Sequence, residues 1–183
     1  MDEYYSGISM QSVLEKSQRI RMAIFDVDGV LTDGSLHIGT NGEEAKTFNS
    51  RDGHGMKMLK ASGVELAIIT SRESRCVDLR AQDLGVTFVF QGVENKLQIF
   101  EELLLRVGLE ASDCAYVGDD LVDLPVMMRC GLSVSVPAAP AVVKKHADYV
   151  THLEGGHGAV REICEIIMSA QDTLCAQQAE YLK

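Results

Sequence analysis

The stretch Met22-Ala23-Ile24-Phe25-Asp26-Val27-Asp28-Gly29 carries an apolar run directly into two carboxylates and a glycine. The run is continuous rather than alternating, so it reads as a strand buried on both faces, as strands of a parallel sheet are. Further runs of this kind lie at residues 65–70, 87–90, 115–117 and 132–136. Helical patterns at 54–61, 73–84, 96–107 and 121–130 separate them. Gly63, Gly85, Gly108 and Gly131 fall just past those four segments, where a helix end favours glycine. Strand, helix and glycine in steady alternation predict an α/β fold, a doubly wound and mostly parallel Rossmann-like sheet.

Two segments depart from the rhythm. Residues 33–50 lack helical periodicity, and Asn41-Gly42 is a hairpin turn signal, so a β-hairpin is expected in the first crossover. Residues 155–183 begin with Gly155-Gly156-His157-Gly158 and continue with Val160, Ile163, Cys164, Ile167 and Met168 at helical spacing. That stripe predicts a helix over 159–181 docked on the sheet, with polar last turns. The glycine segment has two readings, a linker before the helix or a loop that helps to shape a ligand site. A length of 183 residues without repeat or interdomain linker predicts a single domain over 1–183.

The composition, 46% apolar and 24% charged, excludes a disordered chain. Seventeen basic residues against 27 acidic ones leave a net charge of −10. Such a field argues against nucleic acid and anionic membrane as partners, and any anionic substrate needs local positive charge. The five cysteines show no C-x-x-C pairing, which predicts free thiols in a reducing, cytoplasmic compartment. Residues 1–20 are polar and lack the apolar core of a secretory signal. Nowhere is there an apolar run near the ~20 residues of a membrane span.

Carboxylates gather where two of the strands end. Asp26, Asp28 and Asp33 follow the first; Asp119, Asp120 and Asp123 follow the fourth in Val117-Gly118-Asp119-Asp120-Leu121-Val122-Asp123. In open α/β sheets ligands bind outside these carboxyl ends. Clustered carboxylates repel unless a cation offsets them, and an all-oxygen donor set suits Mg²⁺. Thr70-Ser71-Arg72, ending the second strand, offers hydroxyls and loop amides to a phosphoryl oxygen. Lys96 opens a helix and supplies an ammonium to nucleophile and phosphate alike.

In this order (DxD, then T/S, then K, then GDDxxD) the motifs resemble the haloacid dehalogenase superfamily of phosphotransferases over essentially the whole chain. The resemblance implies Asp26 as the nucleophile that becomes an aspartyl-phosphate and Asp28 as the acid/base. It further implies Mg²⁺ on Asp26, the backbone carbonyl of Asp28 and Asp119. Thr70, Ser71 and Lys96 would hold the phosphoryl group, with Asp120 and Asp123 supporting metal and lysine. Neither the hairpin nor the span from Thr70 to Lys96 has room for a cap domain. The chain therefore resembles the capless branch, whose members form homotetramers in which hairpins associate and neighbouring subunits cover the site.

Three strings narrow the resemblance: Arg51-Asp52-Gly53-His54-Gly55, Val117-Gly118-Asp119-Asp120-Leu121-Val122-Asp123-Leu124-Pro125-Val126-Met127 and Gly155-Gly156-His157-Gly158-Ala159-Val160-Arg161-Glu162. They are similar to the 3-deoxy-D-manno-octulosonate 8-phosphate phosphatase family, which acts in lipopolysaccharide precursor synthesis. The implied substrate is a sugar-acid phosphate, so Arg51, His54, Arg72 and Arg80 are candidate contacts to its anionic groups. His157 stands where some relatives have arginine. Two alternatives stay open: a phosphatase of a nine-carbon, sialic-acid-type 9-phosphate, and a nonenzymatic regulatory oligomer.

Overall fold

Strand β1 (Met22–Phe25) is buried at every residue. Its side chains alternate between two cores, Ala23 and Phe25 into one and Met22 and Ile24 into the other, because successive side chains of a strand point to opposite faces. The computed structural model describes residues 9–183. Residues 1–8, part of the stretch read as lacking a secretory signal, lie outside the described residues.

Strand β1 pairs in parallel with β4 (Glu65–Ile69) on one side, Phe25 against Ile68. On the other side it pairs with β6 (Cys114–Val117), Phe25 against Val117. With β5 (Phe88–Phe90), β7 (Leu132–Ser135) and β8 (Tyr149–Val150) they form a six-stranded sheet in the order β5-β4-β1-β6-β7-β8, all of it parallel. The winding direction reverses between β1 and β6. Their carboxyl ends deliver Asp26 and Asp119 to the crevice where ligands of such sheets bind.

Helices α2 (Ser50–Ala61), α3 (Arg75–Leu84) and α4 (Lys96–Val107) match the expected segments. Gly63, Gly85 and Gly108 adopt positive φ after them. Gly131 does not. A Cβ there would fall 2.1 Å from the Ser112 carbonyl oxygen, so this glycine permits a close approach rather than a helix cap. The helix expected over 121–130 is instead a single 3₁₀ turn (Leu121–Asp123) leading into short α5 (Leu124–Met127). Asp120 and Asp123 cap that turn reciprocally, and Pro125 at the start of α5 bars an unbroken α-helix through the segment.

The expected C-terminal helix divides into α7 (Ala159–Ala170) and α8 (Leu174–Ala179), broken where Asp172 takes φ 58°. Asp52 on α2 accepts the Gly158 N–H (3.2 Å) and the Arg161 N–H (2.8 Å), thereby capping α7 from a neighbouring helix. Helices α1 (Met10–Ser17) and α6 (Ala141–His146) were not expected from the sequence. In α1 only Val13 and Ser17 are buried, too few to leave an apolar stripe.

The hairpin is present in the first crossover. Strand β2 (His37–Ile38) pairs antiparallel with β3 (Glu44–Ala45), and Gly42 turns with φ 83°. Its second strand rests on α3, where the Cys76 thiol donates to the Glu44 carbonyl at 3.5 Å.

Candidate active site

Asp26 leaves β1 with its N–H on the Val117 carbonyl (3.0 Å), so the sheet itself fixes its backbone. Its carboxylate is buried and lies 3.0 Å from the ammonium of Lys96, whose side chain is 1% exposed. Asn95, which caps α4, places Lys96 at the first position of that helix. The same ammonium donates to Asp123 Oδ1 at 2.6 Å, and the Tyr116 hydroxyl donates to that oxygen at 2.7 Å. Asp123 Oδ2 accepts the N–H groups of Asp119 (3.0 Å) and Asp120 (3.1 Å). Asp123 is thus a strut with both oxygens engaged.

The electrostatics follow from burial and proximity. Burial, then repulsion from Asp123, pushes the pKa of Asp26 up to about 6 against the pull of Lys96. Burial, with Asp26 and Asp123 adding repulsion, raises Asp119 to about 7. Burial alone would lower Lys96, but Asp26 and Asp123 outweigh it and hold the ammonium above its ordinary value. The site thus holds more negative charge than one lysine satisfies.

Asp26, Asp119 and Asp123 each present a carboxylate oxygen, all within 4.8 Å of one another. Because Asp123 is filled from both sides, the donors open to a cation are Asp26 and Asp119. Asp26 Oδ1 is sealed from solvent, with the Lys96 ammonium its near cation at 3.0 Å. Gly29, at φ 88°, leaves the space beside Asp119: a Cβ there would fall 2.0 Å from Asp119 Oδ2. An under-neutralised, oxygen-only set at a strand edge fits a hard divalent cation such as Mg²⁺.

Asp28 lies on the same loop but faces another group of residues. It forms an ion pair with Lys46, whose ammonium also lies 3.4 Å from Glu44. Arg72 reaches the cluster too, with Nε 3.5 Å from Asp28 and Nη2 3.2 Å from Glu44. Sequence reasoning missed Lys46, Glu44 and Tyr116. The available signals were the spacing of Glu44 in β3 and Lys46 just past it, two apart and so on the same side of an extended segment, and the phenol of Tyr116 inside an apolar run, which needs a buried partner.

Thr70 is buried at the end of β4; its N–H binds the Phe90 carbonyl and its own carbonyl accepts the Val93 N–H. Ser71 follows it into solvent. Asp120 accepts the Leu121 N–H at 2.7 Å as the cap of the 3₁₀ turn. Arg51 is exposed in the first turn of α2, and His54, one turn on, meets the Tyr181 ring edge-on at 5.3 Å. Arg80 is braced by Asp83 (2.9 Å), the Asn49 carbonyl (3.1 Å) and the face of Phe48. The structure therefore brings Asp26, Asp119, Asp123 and Lys96 into one cluster and joins Arg72 to Asp28, while Arg80 braces the segment before α2.

The segment Gly155-Gly156-His157-Gly158 packs on the loop that follows Asp28. Gly156 N–H binds the Val30 carbonyl at 2.9 Å, and a Cβ on Gly155 would fall 1.7 Å from the Gly29 carbonyl oxygen. It is a buttress rather than a slack linker, and His157 points to solvent from it.

Residues 53–131 match the model of the haloacid dehalogenase-like hydrolase family. The chain is 48% identical over 162 residues, 88% of its own length and 86% of the relative's, to 3-deoxy-D-manno-octulosonate 8-phosphate phosphatase KdsC of Salmonella typhi. The crystal structure of 3-deoxy-D-manno-octulosonate 8-phosphate phosphatase from Moraxella catarrhalis, in complex with magnesium ion, phosphate ion and KDO, superposes with a TM-score of 0.93 at 42% identity, covering 94% of this chain and 99% of that one. The cobalt-bound form of the Haemophilus influenzae deoxy-D-mannose-octulosonate 8-phosphate phosphatase gives 0.87 at 40% identity over 92% and 99%. Fold, site and relatives agree: the chain belongs to the 3-deoxy-D-manno-octulosonate 8-phosphate phosphatase family of haloacid dehalogenase-like hydrolases.

Proposed function

We propose that this protein is a Mg²⁺-dependent phosphomonoesterase that hydrolyses 3-deoxy-D-manno-octulosonate 8-phosphate to the free sugar acid and phosphate. The observation that carries the reading is the buried Asp26 carboxylate beside Lys96, with Asp119 open next to it. The named activity of relatives up to 48% identical over most of both chains supports the substrate.

The Asp26 carboxylate attacks phosphorus and forms an aspartyl-phosphate as the sugar alkoxide departs. Asp28 gives that alkoxide a proton, then takes one from the water that attacks the aspartyl-phosphate, which releases phosphate and frees Asp26. Lys96 screens the attacking carboxylate from the substrate dianion. Asp123 and the Tyr116 hydroxyl keep the ammonium in place. Thr70, Ser71 and the loop amides beside them hold the phosphoryl oxygens. Asp26, Asp119 and the Asp28 carbonyl would hold Mg²⁺, which when bound supplies positive charge at the reacting oxygens. Arg72, together with Arg51, His54 and Arg80, is the candidate set for the sugar acid.

The whole chain works as one phosphatase domain, and its proposed assembly is a homotetramer. Leu36 and Ile38 on the hairpin, 48% and 65% exposed, are apolar surface that association would cover. A cytoplasmic location fits five free cysteines, of which Cys114 and Cys130 are pushed by burial to about 12 and so stay protonated. Among the described residues no helix is long and apolar enough to cross a membrane. The test is phosphate release from a panel of eight-carbon and nine-carbon sugar-acid phosphates with and without Mg²⁺. Preference for a nine-carbon 9-phosphate would reassign the substrate, and absence of turnover on every ester would leave a nonenzymatic oligomer.

A further inference from the structure

We propose that Lys46, delivered by the hairpin, is a positioning residue that anchors one oxygen of Asp28 and thereby orients the carboxyl for proton exchange with the leaving group. The inference rests on the reading of Asp28 as the acid/base.

Lys46 follows β3 directly, and its side chain is 1% exposed. A lysine desolvated this fully on a polar hairpin needs carboxylate partners, and it has two, Asp28 and Glu44. The contact to Asp28 is made to Oδ1 alone. Oδ2 is sealed from solvent and accepts no hydrogen bond, with Arg72 Nε the near cation at 3.5 Å. One oxygen is therefore tied by Lys46, while its twin has the longer Arg72 ion pair and no hydrogen bond, which fixes the carboxyl and leaves that atom able to accept. Glu44 also lies 3.4 Å from the ammonium and is itself held by Arg72 at 3.2 Å. The Cys76 contact to the Glu44 carbonyl pins this strand of the hairpin to α3. The hairpin would then act within its own subunit, as the arm that orients Asp28.

A group that orients a general acid matters most when the leaving group needs a proton. Ethoxide leaving from ethyl phosphate needs one; p-nitrophenolate leaving from p-nitrophenyl phosphate does not. Both esters lack the carboxylate of a sugar acid, so neither reports contacts to it. The ratio kcat/KM covers phosphoryl transfer to Asp26 and loss of the leaving group, before water enters.

The experiment compares Lys46→Gln and Lys46→Arg with the parent full-length protein, at saturating Mg²⁺, on both esters. Lys46→Gln should lower kcat/KM for ethyl phosphate by about tenfold or more and for p-nitrophenyl phosphate by no more than about threefold. Lys46→Arg, which keeps a cation, should recover most of the loss. In an Asp28→Asn background Lys46→Gln should cost ethyl phosphate less than about twofold, because nothing remains to be oriented. An equal fall on both esters overturns the proposal, as does a loss confined to KM for the sugar-acid phosphate, which would make Lys46 a substrate contact. Should Lys46→Gln fail to fold, Lys46→Met takes its place under the same criteria: a larger fall on ethyl phosphate than on p-nitrophenyl phosphate supports the proposal, and an equal fall on both refutes it. Failure of the underlying phosphatase reading is separate and shows in the parent protein, as no Mg²⁺-dependent release from either ester.

Discussion

Asp123 holds Lys96 by a 2.6 Å contact between two side chains that are both out of solvent, and the Tyr116 hydroxyl closes on the same oxygen. Removing the carboxylate leaves a buried ammonium with one partner and a phenol with none. Breaking such a pair costs about 3–5 kcal/mol. Asp123→Ala should therefore lower urea-unfolding stability by that amount and abolish turnover through loss of the Lys96 position. A change below about 1 kcal/mol would show that Lys96 finds support elsewhere.

Asp26→Asn should behave in the opposite way with respect to stability. Burial and the Asp123 charge already oppose ionisation of Asp26, so an amide of the same shape relieves repulsion even though Lys96 loses one contact. Its melting temperature should stay within a few degrees of the parent, while phosphate release falls by about 10³-fold or more. Retention of a tenth of the activity in a purified variant would remove Asp26 from the role of nucleophile.

Much of this was legible because parallel strands buried on both faces leave unbroken apolar runs. Each of the five runs read from the sequence is a strand of the sheet, and the carboxylates following two of them form the cluster. The misses share a different physics. Short α1 and α6 bury too few residues to imprint a period. Lys46 and Glu44 sit on a hairpin whose polarity reads as solvation, and only the tertiary fold shows that the lysine arm reaches Asp28. Gly155-Gly156 leaves a linker and a site-shaping loop both open from sequence alone, whereas packing makes it a close contact with Gly29.

Metal removal should be visible without an activity assay. EDTA should abolish turnover, and Mg²⁺ should both restore it and raise the melting temperature. A ligand at 100 times its Kd stabilises by about 2.7 kcal/mol. Asp119→Ala should lose the Mg²⁺-induced rise while Asp123→Ala, if folded, keeps part of it, since Asp123 has no free oxygen to offer. An unchanged rise in Asp119→Ala would place the cation elsewhere.

Gly155→Ala tests the buttress. The added methyl would meet the Gly29 carbonyl oxygen at 1.7 Å, a backbone atom that cannot rotate aside, so the loop bearing Asp28 must shift. Overpacking of this kind costs about 1–3 kcal/mol. The variant should lose stability and turnover together. Wild-type values for both would mean that the two loops separate freely.

Glu162 supplies the clearest pH dependence. Its carboxylate accepts the Tyr149 hydroxyl at 2.6 Å and the N–H groups of His152 (2.9 Å) and Leu153 (3.1 Å), tying the loop after β8 to α7. Burial alone would raise its pKa, but these bonds, with the His152 ring, outweigh burial and hold it below the ordinary 4.5. A carboxylate depressed on folding contributes stability that is fully present above its unfolded pKa and disappears as pH falls through the folded one. Glu162→Gln should therefore lower stability by about 1–3 kcal/mol at pH 7. The gap between parent and variant should stay constant down to about pH 5 and narrow steadily below 4.5. His152 is 80% exposed, so screening weakens its ring contact, and the two N–H bonds with the Tyr149 hydroxyl must carry the effect. Urea unfolding of both proteins between pH 3 and 8 measures the gap. One that widened on acidification would mean that Glu162 is stabilised as the neutral acid and would reverse the assignment.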